Sequence, residues 1–329
     1  MIPIAFITDN NYFMPTMVAI QSLIDKKEDS DPQIYILGIN LCLANERFLN
    51  NYQNNESNII YHPVAFSLYE DFITKEGQYV SIAALVKFQL AELFPEFDKL
   101  LYLDSDIIIR HSLQPLYDTD LENNYAAVVK DLMAIKQKDN ERLGLNTYFN
   151  SGVLLLNCKK IREEHLFEKL LKEKRNNTAL HYMDQDVFNV IFNNNVKFIN
   201  VINNYQTYYG NLNIVNINMH FERSYASQKS LDKEIIVLHL AGRCKPWNSK
   251  SVNYYEEWLQ YYKKLNRDES ELKDKPYEIT NYFFTKRYVG DKDTFVLIKK
   301  KKVLKRHIEN GTALYTFLGL FKIRLKYIL

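Results

Sequence analysis

Cysteine is scarce in this chain. Three occur among 329 residues, Cys42, Cys158 and Cys244, and no C-x-x-C pair is present. That leaves no disulfide framework and no thiolate zinc site, and favours a reducing compartment. No run of about 20 apolar residues occurs, so no bilayer-spanning helix is expected. The opening stretch MIPIAFITDNNYF lacks a positive region ahead of a long apolar one, so it does not read as a signal peptide. No internal repeat is visible. With 47% hydrophobic and 25% charged residues, the composition excludes wholesale disorder. The length suits one large α/β domain with an extension, or two small domains.

The net charge of +2 conceals an asymmetry. Between Lys275 and Leu329 stand 13 Lys/Arg against four Asp/Glu, so a basic tail follows a mildly acidic body. Such a tail suggests an anionic surface as partner.

Strand and helix signals alternate through the first hundred residues. Apolar runs at Ile2–Thr8, Gln33–Ile39, Asn58–His62 and Lys99–Leu103 read as strands. Tyr12–Lys26, Cys42–Tyr52 and Val80–Leu93 read as helices, the first with Met17, Ile20, Leu23 and Ile24 on one face. This pattern predicts a mostly parallel sheet with helices on both faces. Further strands are expected at Tyr125–Lys130, Gly152–Asn157, Lys197–Val201 and Glu234–Leu240. Helices are expected at Arg162–Arg175, Asp184–Asn193 and Tyr254–Leu265. Asn203–Lys233 lacks a sustained period and reads as a long loop.

Asp-x-Asp occurs five times, at Asp29/Asp31, Asp104/Asp106, Asp118/Asp120, Asp184/Asp186 and Asp291/Asp293. The spacing alone carries little, because solvated turns and helix faces produce it often. Only Asp104/Asp106 is apolar on both sides, in KLLYLDSDIIIR. Side chains two apart on an extended chain point the same way, so the two carboxylates converge at the carboxyl end of a buried strand. Open α/β sheets bind ligands at that end. Two hard oxygen donors there suit Mn²⁺ or Mg²⁺ bridging to a diphosphate.

His239 ends another apolar run, IIVLHL, and is the candidate third ligand; the plain alternative is a hydrogen-bonded core histidine. Behind it, AGRCKPW supplies Gly242 for close backbone approach and Lys245 as a cation for phosphate. Asp184, in YMDQDVFN, is a candidate N-cap, a role that leaves Gln185 unexplained. FNSGVLLLN reads as a strand entered through a small-residue turn at Asn150.

Taken in order, FITDNNY, KLLYLDSDIIIRHSLQPLYDTDL, YFNSGVLLLNCKK, DQDVFN and HLAGRCKPW resemble family 8 of the glycosyltransferases, the retaining GT-A enzymes. The likeness runs from Ile4 to about Trp247 and is nearest to bacterial lipooligosaccharide α-galactosyltransferases. It implies a Rossmann-like GT-A domain over residues 1–265, a UDP-galactose or UDP-glucose donor, Mn²⁺ with Mg²⁺ as the alternative, and a glycan or glycolipid acceptor such as lipopolysaccharide. By the same resemblance Asp104, Asp106 and His239 match the metal ligands. Thr8, Asp9, Asn11 and Tyr12 match the residues that hold uracil and ribose. Gly242 and Lys245 match the loop closing on the diphosphate, and Asp131, Asn150, Asp184 and Gln185 surround the transferred sugar. Lys87 falls where the family frequently has Arg, which alters contacts to sugar hydroxyls or phosphate.

Gln185 carries a neutral amide and is a poor nucleophile. Front-face attack, with Gln185 stabilising an oxocarbenium-like sugar, is therefore expected, and Asp184 as a nucleophile after a shift is the alternative. The tail, residues 266–329, mixes apolar residues with Lys299–Lys302, Lys305, Arg306, Lys322, Arg324 and Lys326. It reads as a basic helical extension lying on an anionic membrane, without nucleic acid as a partner, the alternative being a small helical subdomain packed on the main domain. The expected location is cytoplasmic and peripheral on the inner face of the cytoplasmic membrane. A non-catalytic UDP-sugar or glycan-binding module and a glycogenin-like self-glucosylating protein are the competing functions.

Overall fold

The structure, a computed structural model, describes residues 1–26, 31–53, 58–64, 85–177, 180–272, 274, 277–280, 285–289, 293–298, 301–309, 312–318 and 321–326. The chain divides into two compact units, Met1–Asn204 and Tyr205–Leu329.

The strands of the first unit are β1 (Ile2–Thr8), β2 (Pro32–Ile39), β3 (Ile59–Val64), β4 (Lys99–Leu103), β5 (Ile107–Ile109), β6 (Ala126–Lys130), β7 (Phe149–Asn157) and β8 (Val196–Phe198). Seven of them form one sheet in the order β3-β2-β1-β4-β7-β6-β8. β1, β2, β3 and β4 run parallel, and only β7 opposes its neighbours. The mostly parallel α/β sheet read from the alternating pattern is thus present. All seven residues of β1 are buried. Ala5 and Ile7 join the cluster that includes Leu85, Phe88, Leu90 and Phe188, while Ile4 and Phe6 are buried on the opposite face. Two-sided cover is why this strand has no polar alternation. On helix Phe13–Ile24, the stripe Met17, Ile20, Leu23 and Ile24 is buried as its spacing predicts.

β1 lies between β2 and β4. Chain order reverses there, so the carboxyl ends of β1 and β4 open beside each other without a crossover covering them. This is the topological switch point at which such sheets take ligands.

In the second unit, β9 (Tyr205–Gln206) runs parallel to β10 (Val237–His239). The span expected as a loop, Asn203–Lys233, instead contains a 3₁₀ turn at Thr207–Asn211 and helices Ile214–Phe221 and Gln228–Glu234. Their caps explain the difference. Asn213 accepts from the Val215 amide, and Ser227 and Ser230 form a reciprocal capping box. Ile217, Phe221 and Leu231 are the buried anchors, too few in each short helix to give a sustained period.

The tail departs from expectation more sharply. Its described residues form no interfacial helix. Six strands, β11 (Tyr277–Thr280), β12 (Thr285–Val289), β13 (Asp293–Ile298), β14 (Lys301–Glu309), β15 (Thr312–Phe317) and β16 (Phe321–Lys326), make an antiparallel meander in sequence order. FKIRLK, the sequence of β16, alternates apolar and charged residues with period two, which is strand periodicity. Asn310-Gly311, standing between β14 and β15 in sequence, is a hairpin signal. Ile308 and Ala313, cross-strand partners, are both buried.

Candidate functional site

At the switch point lies a cleft of about 300 Å³ lined by Thr8, Asp9, Tyr12, Lys87, Asp104 and Asp106, with Tyr102, Ser105 and Asp184 in its wall. The chain leaves β1 through an Asx turn: Asp9 Oδ1 accepts from the amides of Asn11 (2.9 Å) and Tyr12 (3.0 Å). That turn starts the following helix and leaves Tyr12 40% exposed at the rim. Ser105, the residue between the two acids, donates to Ile7 O (3.0 Å) and lies 2.8 Å from Thr16 Oγ1. The middle of the Asp-Ser-Asp stretch is thereby fastened to β1. The Asp104 amide donates to Gly152 O at 2.8 Å, which anchors the start of the stretch to β7.

Lys87 is the electrostatic hub of this cleft. Its side chain is 7% exposed, and its ammonium lies 2.9 Å from Asp104 Oδ1 and 2.8 Å from Asp184 Oδ2. It also stands 4.7 Å above the centre of the Tyr102 ring. Burial by itself lowers the pKa of Lys87, but the carboxylates of Asp104 and Asp184 more than offset this and raise it above the ordinary lysine value. Tyr102 donates to the same Asp104 oxygen at 2.7 Å, and burial followed by the Asp104 charge pushes its own pKa well up. Asp184 is not the N-cap expected from sequence. Tyr182 occupies that position, and Asp184 lies in the first turn of helix Met183–Phe192. Its Oδ2 is bound by Lys87 and by the Ser151 hydroxyl (2.9 Å). An ammonium outcompetes backbone amides for a buried carboxylate, which is the physical reason for the change of role.

A second network holds the expected sugar-site residues. Gln185 Oε1 accepts from Asn150 Nδ2 (3.0 Å) and from the Ser151 amide (3.1 Å). Gln185 Nε2 donates to Asp131 Oδ2 at 3.3 Å. Asp131 uses its other oxygen to cap helix Leu132–Lys136 through the Met133 and Ala134 amides. Asn150 Oδ1 accepts from the Gly152 amide and from Asn204 Nδ2. The first unit thus brings Asp104, Asp184, Lys87, Asn150, Asp131 and Gln185 into one continuous set of polar contacts. Asn11 stays apart from them, exposed in the turn after β1.

In the second unit, His239 ends β10 and is 4% exposed. Gly242 follows with φ +125°, a conformation that a side chain strains, and open space surrounds the position of its missing Cβ. Lys245 folds back so that its ammonium donates to Leu240 O at 2.8 Å, which closes the loop behind the histidine.

Of the other Asp-x-Asp pairs, Asp118/Asp120 follows its plain reading. Asp118 accepts from Gln114 Nε2, and Asp120 accepts from the Glu122 amide in a turn. Asp29 and Asp291 lie outside the described residues. Three residues of the site were not singled out from sequence, namely Tyr102, Ser151 and Asn204. Tyr102 was within reach, since it stands two before Asp104 and must share its side. The others depend on pairings across 30 or more positions, which carry no local signal.

A mostly parallel sheet with paired carboxylates and the buried Lys87 ammonium at its switch point is a ligand-binding arrangement of open α/β sheets. Residues 3–251 match glycosyl transferase family 8, and the chain belongs to that family. Among curated relatives, lipopolysaccharide 1,2-glucosyltransferase of Escherichia coli K12 is 33% identical over 185 residues, covering 54% of this chain and 52% of the enzyme. Lipopolysaccharide 1,3-galactosyltransferase of Salmonella typhimurium LT2 is 29% identical over 178 residues, covering 51% and 50%. The chain thus spans about half the length of each of these two enzymes. Among solved structures, the galactosyltransferase LgtC in complex with donor and acceptor sugar analogues superposes with a TM-score of 0.67 at 26% identity, over 82% of this chain and 98% of that one.

Proposed function

We propose that this family 8 glycosyltransferase moves a galactosyl or glucosyl unit from a UDP-hexose to a cell-surface glycan such as lipopolysaccharide, with retention at the anomeric carbon and with Mn²⁺ or Mg²⁺ as cofactor. The observation that carries the reading is the Asp104/Asp106 cleft at the switch point, joined through Lys87, Asp184 and Ser151 to the amide of Gln185. The galactosyl- and glucosyltransferase relatives support the choice of donor.

Asp104 and Asp106 offer hard oxygens and His239 an imidazole, a donor set that fits a small divalent cation. Such an ion supplies Lewis-acid neutralisation of the departing diphosphate. The protein's own groups do the rest. The turn at Asp9–Tyr12 receives the nucleoside beside β1. Lys245 adds positive charge against the leaving UDP. Asp184, held between Lys87 and Ser151, fixes sugar hydroxyls. Gln185 presents an amide oxygen whose orientation Asn150 and the Ser151 amide determine. That oxygen already receives two N–H groups and carries no formal charge, so it steadies a cationic sugar without bonding to it, and the acceptor attacks from the leaving-group side. The basic tail sheet, in this reading, keeps the enzyme on the anionic inner face of the cytoplasmic membrane.

UDP release from UDP-galactose and UDP-glucose, measured with Mn²⁺, tests the reading. Asp106→Ala should lower turnover by about 1,000-fold, and a chelator should do the same to the unaltered enzyme. Undiminished activity in chelator would overturn the metal assignment. Absence of UDP release from either donor would favour a non-catalytic sugar-nucleotide binding module.

A further inference from the structure

We propose that Arg142 is a positioning residue for transfer: through the buried carboxylate of Asp186 it sets where Asp184 and Gln185 stand. The inference rests on the reading of Gln185 as the group that steadies the cationic sugar.

Asp186 follows Gln185 directly and is fully buried. Nη2 of Arg142 lies 3.0 Å from both of its oxygens. The Tyr148 hydroxyl and the amides of His181 (2.6 Å) and Tyr182 (3.0 Å) donate to the same carboxylate. Arg142 is itself held, its Nε donating to Asp139 Oδ1 at 3.0 Å. One carboxylate therefore gathers an arginine from the segment after Asp131, the tyrosine just before β7, and the two amides that lead into helix Met183–Phe192. One turn on, Asn189 clamps that helix to the same strand, exchanging hydrogen bonds with the amide and carbonyl of Phe149 at 2.9 Å each. The helix start is thus fixed on both sides of Gln185.

Asp186 has no oxygen left over for a substrate. Its value lies in geometry, because a buried carboxylate without its cation forces the local backbone to move or water to enter. Gln185 and Asp184 sit on that backbone. A displacement of about 1 Å at a reacting centre costs on the order of 100-fold in rate while leaving binding of the donor's remote parts intact.

The test uses the full chain with Mn²⁺ and follows UDP release from UDP-glucose and UDP-galactose for Arg142→Met, Arg142→Lys and Tyr148→Phe. Arg142→Met should lower kcat by about 10- to 100-fold with donor KM changed less than about threefold. Arg142→Lys keeps the charge but loses the fork, and should fall in the same direction by less. Tyr148→Phe keeps the ring and carries the test if Arg142→Met does not fold. Unchanged kcat, or a rise in KM with kcat preserved, overturns the proposal. Hydrogen exchange provides a second readout. In Arg142→Lys the amides of residues 181–186 should lose protection relative to those of β1 and β4, and equal protection overturns the proposal independently of turnover. If the unaltered enzyme releases no UDP from either donor, the transferase reading fails, and exchange alone decides the role of Arg142.

Discussion

Position 87 holds a buried lysine, and the local packing explains how its compact head serves. Asp104 and Asp184 approach one ammonium at 2.9 and 2.8 Å, with the Tyr102 ring as a floor. A planar fork gains most from a single carboxylate met side-on, whereas a compact head can be shared between two. Removing it leaves two largely buried carboxylates facing each other. In chelator, Lys87→Met should therefore destabilise the fold by about 3 kcal/mol in urea denaturation. A loss below about 0.5 kcal/mol would show that the pair contributes little beyond its own desolvation cost.

Elements with a long apolar signature were legible before any coordinates. β1, β2, β4 and helix Phe13–Ile24 lie within two residues of where their patterns placed them. The paired acids after β4 stood out because apolar runs flank them on both sides. Short elements escaped for the reverse reason. Ile214–Phe221 and Gln228–Glu234 are eight and seven residues long and lean on caps rather than on a repeating stripe. Ser227→Ala removes the hydroxyl of the capping box and should cost about 1 kcal/mol, read as a lowered urea midpoint with unchanged slope. An unaltered midpoint would assign that helix to packing by Leu231 alone. In the tail, lysines among apolar residues suit an interfacial helix and a two-sided strand alike. The strict alternation in β16 and the Asn310-Gly311 hairpin signal separate the two, and each is short.

Across the whole molecule, charge is distributed unevenly, and the basic excess is carried by a sheet. Within it Lys302, Phe317, Leu318, Lys322 and Ile323 are exposed, so cations and apolar side chains both reach solvent. Among the described residues no helix is long and apolar enough to cross a membrane. Surface attachment by this sheet predicts that the full chain floats with phosphatidylglycerol vesicles and not with phosphatidylcholine vesicles. Lys302→Glu combined with Lys322→Glu should weaken flotation, as should about 0.5 M salt. Equal recovery with neutral vesicles would remove the membrane role.

The lysine at the cleft also sets an ionic balance. Asp104, Asp106 and Asp184 with Lys87 carry formal charges that together equal minus two. On the proposed reading, one divalent ion would bring that quartet to neutrality, where a monovalent ion would leave it anionic and hostile to pyrophosphate. Built-in positive charge would then tune how much more must be imported before a nucleotide is welcome, and exchanging Lys87 for a neutral side chain would leave a dication one unit short.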